Sequence, residues 1–153
     1  MIGFRQFLLL LVIVIVAAHR DLPDNAADLP ISQLLSLAST ALSAGRSASA
    51  LEIFDHILIR DPSDFATLYK RATIRLATNQ LSKAKDGFKE VLRVKEFDQA
   101  RLQLAKIYAK LGEFDDAKKE VDELLKHSTL KKEGTELVCS FLCRLKLLFN
   151  DNR

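Results

Sequence analysis

Tryptophan is absent from this chain of 153 residues, and tyrosine, glycine and proline are scarce, with two, five and three copies. Leucine, alanine and lysine are abundant instead, a composition that favours helices over sheets. The formal net charge is only +3, because 23 basic and 20 acidic residues are intermixed along the chain. No long basic run is present, so we expect no nucleic acid among the partners.

Cysteine is equally rare, since Cys139 and Cys143 are the only two. They lie four positions apart in an apolar segment that is predicted to be helical, a spacing that suits a disulfide poorly. A thioredoxin-like redox motif needs two intervening residues rather than three. The histidines His19, His56 and His127 are isolated in the sequence. We therefore predict buried free thiols, no metal site and no cofactor.

The N-terminus has the composition of a secretory signal peptide. Arg5 precedes an unbroken apolar run of 12 residues, and small residues stand before His19, where a signal peptidase could cut. The alternative is a retained membrane anchor, but a membrane-spanning helix needs about 20 apolar residues. We predict a cleaved signal peptide over residues 1–18 and a linker over residues 19–30, with membrane contact only if the signal is uncleaved.

A repeated pattern occupies the middle of the chain. Alanines recur at intervals of 34 and 33 residues, and a large apolar residue follows each of them four positions later. The alanines are Ala50, Ala84 and Ala117, and the apolar residues are Phe54, Phe88 and Val121. A turn and an earlier helix start precede each alanine, so every repeat is predicted to be one helix hairpin. A generic helical bundle is the alternative, but it does not explain a fixed period.

This pattern resembles the tetratricopeptide (TPR) repeat. Small alanines are expected where the two helices of a hairpin cross, at Ala38, Ala72 and Ala105, and glycines in the turns at Gly45 and Gly112. The first-helix tryptophan of the family is replaced by Leu34, Leu68 and Arg101. We predict an all-α, TPR-type solenoid of three repeats, over residues 31–64, 65–97 and 98–128. Its helices are expected at 31–44, 48–60, 64–78, 81–95, 98–111 and 114–127.

Residues 129–153 are predicted to form a C-terminal apolar helix and tail. Apolar residues recur there at helical spacing, among them Phe141 and Leu145. A helix that covers the last hairpin of the solenoid is one interpretation. A contact with a partner or a membrane, and the cut end of a longer protein, are the alternatives that the sequence leaves open.

A closer resemblance is carried by "YKRAT" (69–73), "FDQARLQLAK" (97–106) and "KLGEFDDAKKE" (110–120). These segments resemble the N-terminal TPR block of the endoplasmic-reticulum co-chaperones that combine TPR repeats with a J domain. The resemblance implies a lumenal location, binding of unfolded or misfolded polypeptides, and delivery of these clients to the lumenal Hsp70. It also implies a link to restraint of kinases that phosphorylate a translation initiation factor. The chain contains no His-Pro-Asp motif, so any Hsp70 partnership is expected to be indirect.

The candidate binding residues are apolar positions on the first helix of each repeat, which is expected to line the concave surface. They are Leu35, Leu42, Tyr69, Leu76 and Leu102, interleaved with Ser39, Thr73 and Lys106. TPR domains that clamp a terminal carboxylate use Lys and Asn where this chain has Leu35 and Ser39. We therefore predict an apolar peptide groove. The alternative is that the leucines simply pack helix against helix.

Two functional hypotheses follow from these features. The first is a TPR module of the endoplasmic-reticulum lumen that holds unfolded or misfolded clients. The second is a scaffold that docks a single folded partner, and a fragment of a longer TPR/J-domain co-chaperone is a variant of the first. An enzyme is not predicted, because no nucleophile, base and orienting group fall on matching repeat positions.

Overall fold

The structure is a computed structural model that describes residues 26–127 without a gap, and Gln6, Pro23 and Glu136 as single positions. Six helices and no strand occur within residues 26–127. The helices are α1 (Ile31–Ser43), α2 (Ser47–Arg60), α3 (Phe65–Ala77), α4 (Leu81–Val94), α5 (Asp98–Leu111) and α6 (Phe114–His127). Each helix end lies within one residue of its predicted position, and the all-α fold of TPR type is confirmed.

Three predictions concern segments that the structure does not describe. Apart from Gln6 and Glu136, the predicted signal peptide and the predicted C-terminal apolar helix lie outside the described residues, and so does the cysteine pair. Among the helices that are described, none has the length and apolar character needed to cross a membrane.

The chain divides into two compact units after Pro62. Unit 1 contains the hairpin of α1 and α2, and unit 2, which begins at Ser63, contains the hairpins α3–α4 and α5–α6. The helices that pack together within unit 2 are the two of each hairpin and, between the hairpins, α4 and α5.

Unit 1 has a core of small and branched side chains. Leu34, Ala38 and Ala41 of α1 are buried against the buried face of α2, which includes Ala50 and Phe54. Because Ala38 and Ala50 are small and fully buried, the backbones of α1 and α2 can approach closely, as the repeat pattern predicted.

The first helix of every hairpin ends in the same way. Gly45, Asn79 and Gly112 adopt left-handed backbone conformations, with φ of 75°, 59° and 79°. The next residue then donates its backbone N–H to a carbonyl five positions back, over 2.8 to 2.9 Å in all three hairpins. This is a Schellman-type end, which favours glycine and tolerates asparagine. Asn79 thus takes the place that glycine occupies in the other two turns.

In the second hairpin, α3 and α4 are in close contact at Ala72 and Gly87. A Cβ atom built on Gly87 would lie 3.0 Å from the Cβ of Ala72, inside normal van der Waals distance. Ala84 and Phe88 on the same side of α4 are fully buried. The predicted crossing at Ala72 is therefore confirmed, and Gly87 is the residue opposite it that the repeat pattern did not indicate.

In the third hairpin, an ion pair between the two helices stands at the position that corresponds to Gly87. Arg101 stands one repeat after Leu68, and Glu120 stands one repeat after Gly87. The Arg101 guanidinium donates to the Glu120 carboxylate over 2.8 Å and to the Glu96 carboxylate over 2.5 Å. This contact explains how arginine is accommodated at the position where the TPR family has tryptophan.

Candidate functional site

The predicted binding residues of unit 1 lie beside its core. Leu35 and Leu42 of α1 are half-buried, and Ser39 between them is exposed. The fully buried residues of this helix are their neighbours Leu34, Ala38 and Ala41. Both predicted leucines therefore keep part of their apolar surface accessible.

The predicted residues of unit 2 differ from one another in burial. Leu76 of α3 is half-buried, whereas Leu102 of α5 is only 2% exposed and belongs to the hydrophobic core. Thr73 of α3 and Lys106 of α5, which occupy corresponding repeat positions, are exposed. Because the side chain of Leu102 is covered by the chain itself, it offers almost no surface to a ligand.

Tyr69 belongs to a group of four rings, which we call the aromatic cluster: Phe65, Tyr69, Phe88 and Phe97. The ring centroid of Tyr69 lies 5.2 Å from that of Phe97 and 5.9 Å from that of Phe88, both in edge-to-face geometry. Phe65 and Phe97 are also edge-to-face, with centroids 5.3 Å apart. Edge-to-face pairs at these distances are favourable beyond their area burial.

The aromatic cluster joins the start of α3 to the residue that precedes α5. Phe88 is fully buried, whereas Phe65, Tyr69 and Phe97 are half-buried. The Nζ atom of Lys95 lies 5.6 Å from the ring centroid of Phe65, within cation–π range. The cluster therefore has a buried base and a partly accessible aromatic rim. Sequence reasoning did not identify Phe65 and Phe97 as neighbours of Tyr69, although both are among the nine phenylalanines of the chain.

A second group of contacts connects α4 to the last hairpin. The Nζ atoms of Lys85 and Lys89 each lie 5.6 Å from the ring centroid of Tyr108. The Lys85 ammonium also donates to both carboxylate oxygens of Glu113, over 2.9 and 3.0 Å. The hydrogen bond to Glu113 raises the pKa of Lys85 above its ordinary value. Tyr108 is buried, so these lysines pack the two hairpins of unit 2 together.

A metal site needs several ligating side chains close together. Among the described residues, no group of three or more His, Cys, Asp or Glu side chains is close enough to hold a metal ion. The half-buried apolar positions and the aromatic rim are therefore the features of the described part that most resemble a binding surface for polypeptide.

Comparison with protein families identifies the repeat itself. The family model described as tetratricopeptide repeat matches residues 99–127, which form most of the third hairpin. TPR hairpins are protein-interaction modules, so the matched region belongs to a class of structures that bind other proteins.

Comparison with known proteins leads to co-chaperones. The chain is 45% identical, over 96 residues, to the tetratricopeptide repeat and J domain-containing co-chaperone DNJ1 of Fusarium oxysporum f. sp. lycopersici, which covers 62% of this chain and 18% of that protein. It is 31% identical, over 107 residues, to DnaJ homolog subfamily C member 3 of Homo sapiens, which covers 69% of this chain and 21% of that protein. The chain thus spans about a fifth of the length of the curated relatives it matches.

A solved structure agrees with these relatives. The crystal structure of the P58(IPK) TPR domain superposes with a TM-score of 0.62 and 27% identity, covering 78% of this chain and 33% of that one. The TPR region of this chain is therefore homologous to the TPR region of TPR/J-domain co-chaperones, and the resemblance stated from the sequence is confirmed.

Proposed function

We propose that this chain is a protein-binding module of the endoplasmic-reticulum lumen that holds unfolded or misfolded polypeptides as part of a co-chaperone system. Homology to TPR/J-domain co-chaperones supports the co-chaperone class. The apolar N-terminal run, with its charged start, supports entry into the secretory pathway.

One observation carries the client-binding part of the proposal. Leu35 and Leu42 on α1 occupy the same repeat positions as Tyr69 and Leu76 on α3, and all four side chains are apolar or aromatic and half-buried. Their neighbour Leu34, by contrast, is fully buried and offers no apolar area to a ligand. The residual apolar area is available to extended apolar segments of a client, whose burial would supply most of the affinity.

An aggregation assay tests whether these half-buried first-helix positions bind clients. We expect the triple variant Leu35→Ser, Leu42→Ser, Leu76→Ser to lose most of the chain's ability to suppress aggregation of several unrelated unfolded proteins. Each leucine contributes about 1 kcal/mol through partial burial, so client affinity should fall roughly thirtyfold at unit 1, which loses two leucines, and roughly fivefold at unit 2, which loses one. Tyr69 is left unchanged, because its removal would also disturb the aromatic cluster.

A matched control is available on the second helices. Ile59 of α2 is 75% exposed and Val94 of α4 is 44% exposed, so Ile59→Ser, Val94→Ser removes apolar surface away from the first-helix positions. This control should bind clients as the unchanged chain does, and circular dichroism should show that both variants remain helical. Full holdase activity in a folded triple variant would refute the proposed surface. Stoichiometric capture of one folded partner, with no effect on unrelated clients, would favour the scaffold hypothesis instead.

Location is tested by protease protection. In cells that express the full chain, we expect the protein within membrane-bounded vesicles, resistant to added protease until detergent is added, with a mature N-terminus near His19. Recovery of the chain from the cytosol with Met1 intact would contradict the lumenal location.

A further inference from the structure

Charge is divided unequally between the first and second helices of unit 2. The second helices, α4 and α6, carry seven basic and seven acidic residues, so their formal charges cancel. The first helices, α3 and α5, carry six basic residues and one acidic residue, Asp98. Within unit 2 the first helices therefore have an excess of basic residues, part of which is met by the ion pair between Arg71 of α3 and Glu90 of α4, 2.6 Å apart.

On α5 the positive charge is concentrated at Lys106 and Lys110. Both side chains are exposed and one helical turn apart. Arg101, the other basic residue of the helix, is already engaged by Glu96 and Glu120. No ion pair to either lysine is found among the described residues. Like charges at this spacing destabilise a helix slightly, so a carboxylate bound between them would relieve their repulsion.

The lysines occupy repeat positions that belong to the candidate surface. Lys106 corresponds to the exposed Thr73, which follows Tyr69 by one turn on α3. The edge-to-face contact between Tyr69 and Phe97 places the start of α3 beside the start of α5, since Phe97 directly precedes Asp98. A polypeptide lying along these first helices would thus meet half-buried apolar side chains and the exposed ammonium groups of Lys106 and Lys110.

From this arrangement we propose that unit 2 selects extended segments in which apolar residues alternate with Asp or Glu. The inference rests on the proposed function, because it specifies which polypeptides the same surface prefers. Apolar burial supplies affinity without regard to sequence, whereas the charge of the exposed Lys106 and Lys110 favours carboxylates and repels lysine-rich segments.

Two peptides of equal length provide the test. Both carry the same Leu and Phe residues, and one has Glu where the other has Lys. Binding to the full chain is measured by fluorescence anisotropy at low salt. We expect the Glu peptide to bind about fivefold to tenfold more tightly, the effect of two exposed ion pairs. Near 1 M salt, where the Debye length is about 3 Å, the preference should disappear while apolar binding persists.

Two pairs of substitutions show which lysines cause the preference for the Glu peptide. Lys106→Gln, Lys110→Gln should lose most of the preference for the Glu peptide. The control pair Lys83→Gln, Lys118→Gln, which changes exposed lysines of α4 and α6, should retain it.

The outcomes separate this inference from the function on which it rests. Equal binding of the two peptides at low salt, or an equal loss of preference in the control pair, overturns the charge selection alone. Failure of both peptides to bind overturns the proposed function and this inference with it. If the chain self-associates and Lys106→Gln, Lys110→Gln abolishes that association, the occupant of the surface is a second copy and the inference is wrong.

Discussion

The contact between α3 and α4 can be tested at Gly87, because two physical effects there act in opposite directions. Replacing a helical glycine with alanine normally stabilises a protein by about 1 kcal/mol, since glycine is the poorer helix former. At Gly87 the new methyl carbon would lie 3.0 Å from the Cβ of Ala72 and 3.4 Å from its Cα. Both atoms are fixed to the backbone of α3, so the helices themselves would have to separate.

We expect the steric term to exceed the gain in helix propensity. Overpacking of a core costs roughly 1–3 kcal/mol, so Gly87→Ala should lower the free energy of unfolding by about 1 kcal/mol on balance. The obstacle is the methyl group of Ala72. In an Ala72→Gly background the same substitution should therefore stabilise the protein by about 1 kcal/mol, which gives a coupling energy of about 2 kcal/mol.

Urea denaturation of the four proteins in this double-mutant cycle measures the coupling. The Ala72→Gly single variant is the internal control, because it bears the cost of the second glycine without the new methyl group. Stabilisation by Gly87→Ala in the unchanged background, with no coupling to Ala72, would show that the helices have room between them and would refute the close contact.

Three further predictions concern packing, capping and charge in unit 2. Ala84→Leu should overpack the fully buried crossing and cost on the order of 1–3 kcal/mol in urea denaturation; unchanged stability would contradict the repeat register. Asp64 caps α3 and accepts a hydrogen bond from the buried Thr67 hydroxyl, so Asp64→Ala should cost about 2 kcal/mol while Asp64→Asn costs less; equal costs would argue against a capping role. The pKa of Lys85 is raised by its hydrogen bond to Glu113 from an ordinary value of 10.5, so this stabilisation is present at neutral pH and is lost as pH rises through the folded pKa. The stability difference between the unchanged chain and Glu113→Gln should therefore shrink as pH rises beyond 10.5 and through the raised folded pKa; a difference that stays constant would contradict the pairing.

The hairpins could be predicted from the sequence because their determinants are local and repeat with a fixed period. An alanine at each crossing and a residue able to adopt positive φ at each turn recur every 33 or 34 residues. Asn79 carried the same signal as Gly45 and Gly112, since it lies at the same interval. It was missed because asparagine, unlike glycine, is common in other turn positions.

The candidate site was less predictable, because repeat register does not determine burial. Tyr69 and Leu102 occupy the same position in successive repeats, yet Tyr69 is half-buried and Leu102 is 2% exposed. The burial of each depends on which side chains from neighbouring elements cover it. The aromatic cluster has the same origin, since Phe65 and Phe97 are far apart in the sequence and meet only in the folded unit, with ring centroids 5.3 Å apart.

Both hairpins of unit 2 contain an arginine–glutamate ion pair between their two helices, Arg71–Glu90 over 2.6 Å and Arg101–Glu120 over 2.8 Å, but they differ in what surrounds it. Where α3 and α4 touch through Ala72 and Gly87, the separation of the helices is set by van der Waals contact. Where α5 and α6 meet, Arg101 and Glu120 connect the helices by an ion pair that also includes Glu96. This pair uses one arginine of α5 within the structure, so the charge that α5 can offer to a partner comes from its exposed lysines. Arg101, which stands where the TPR pattern has tryptophan, is therefore engaged within the structure, and Lys106 and Lys110 are the exposed cations of α5.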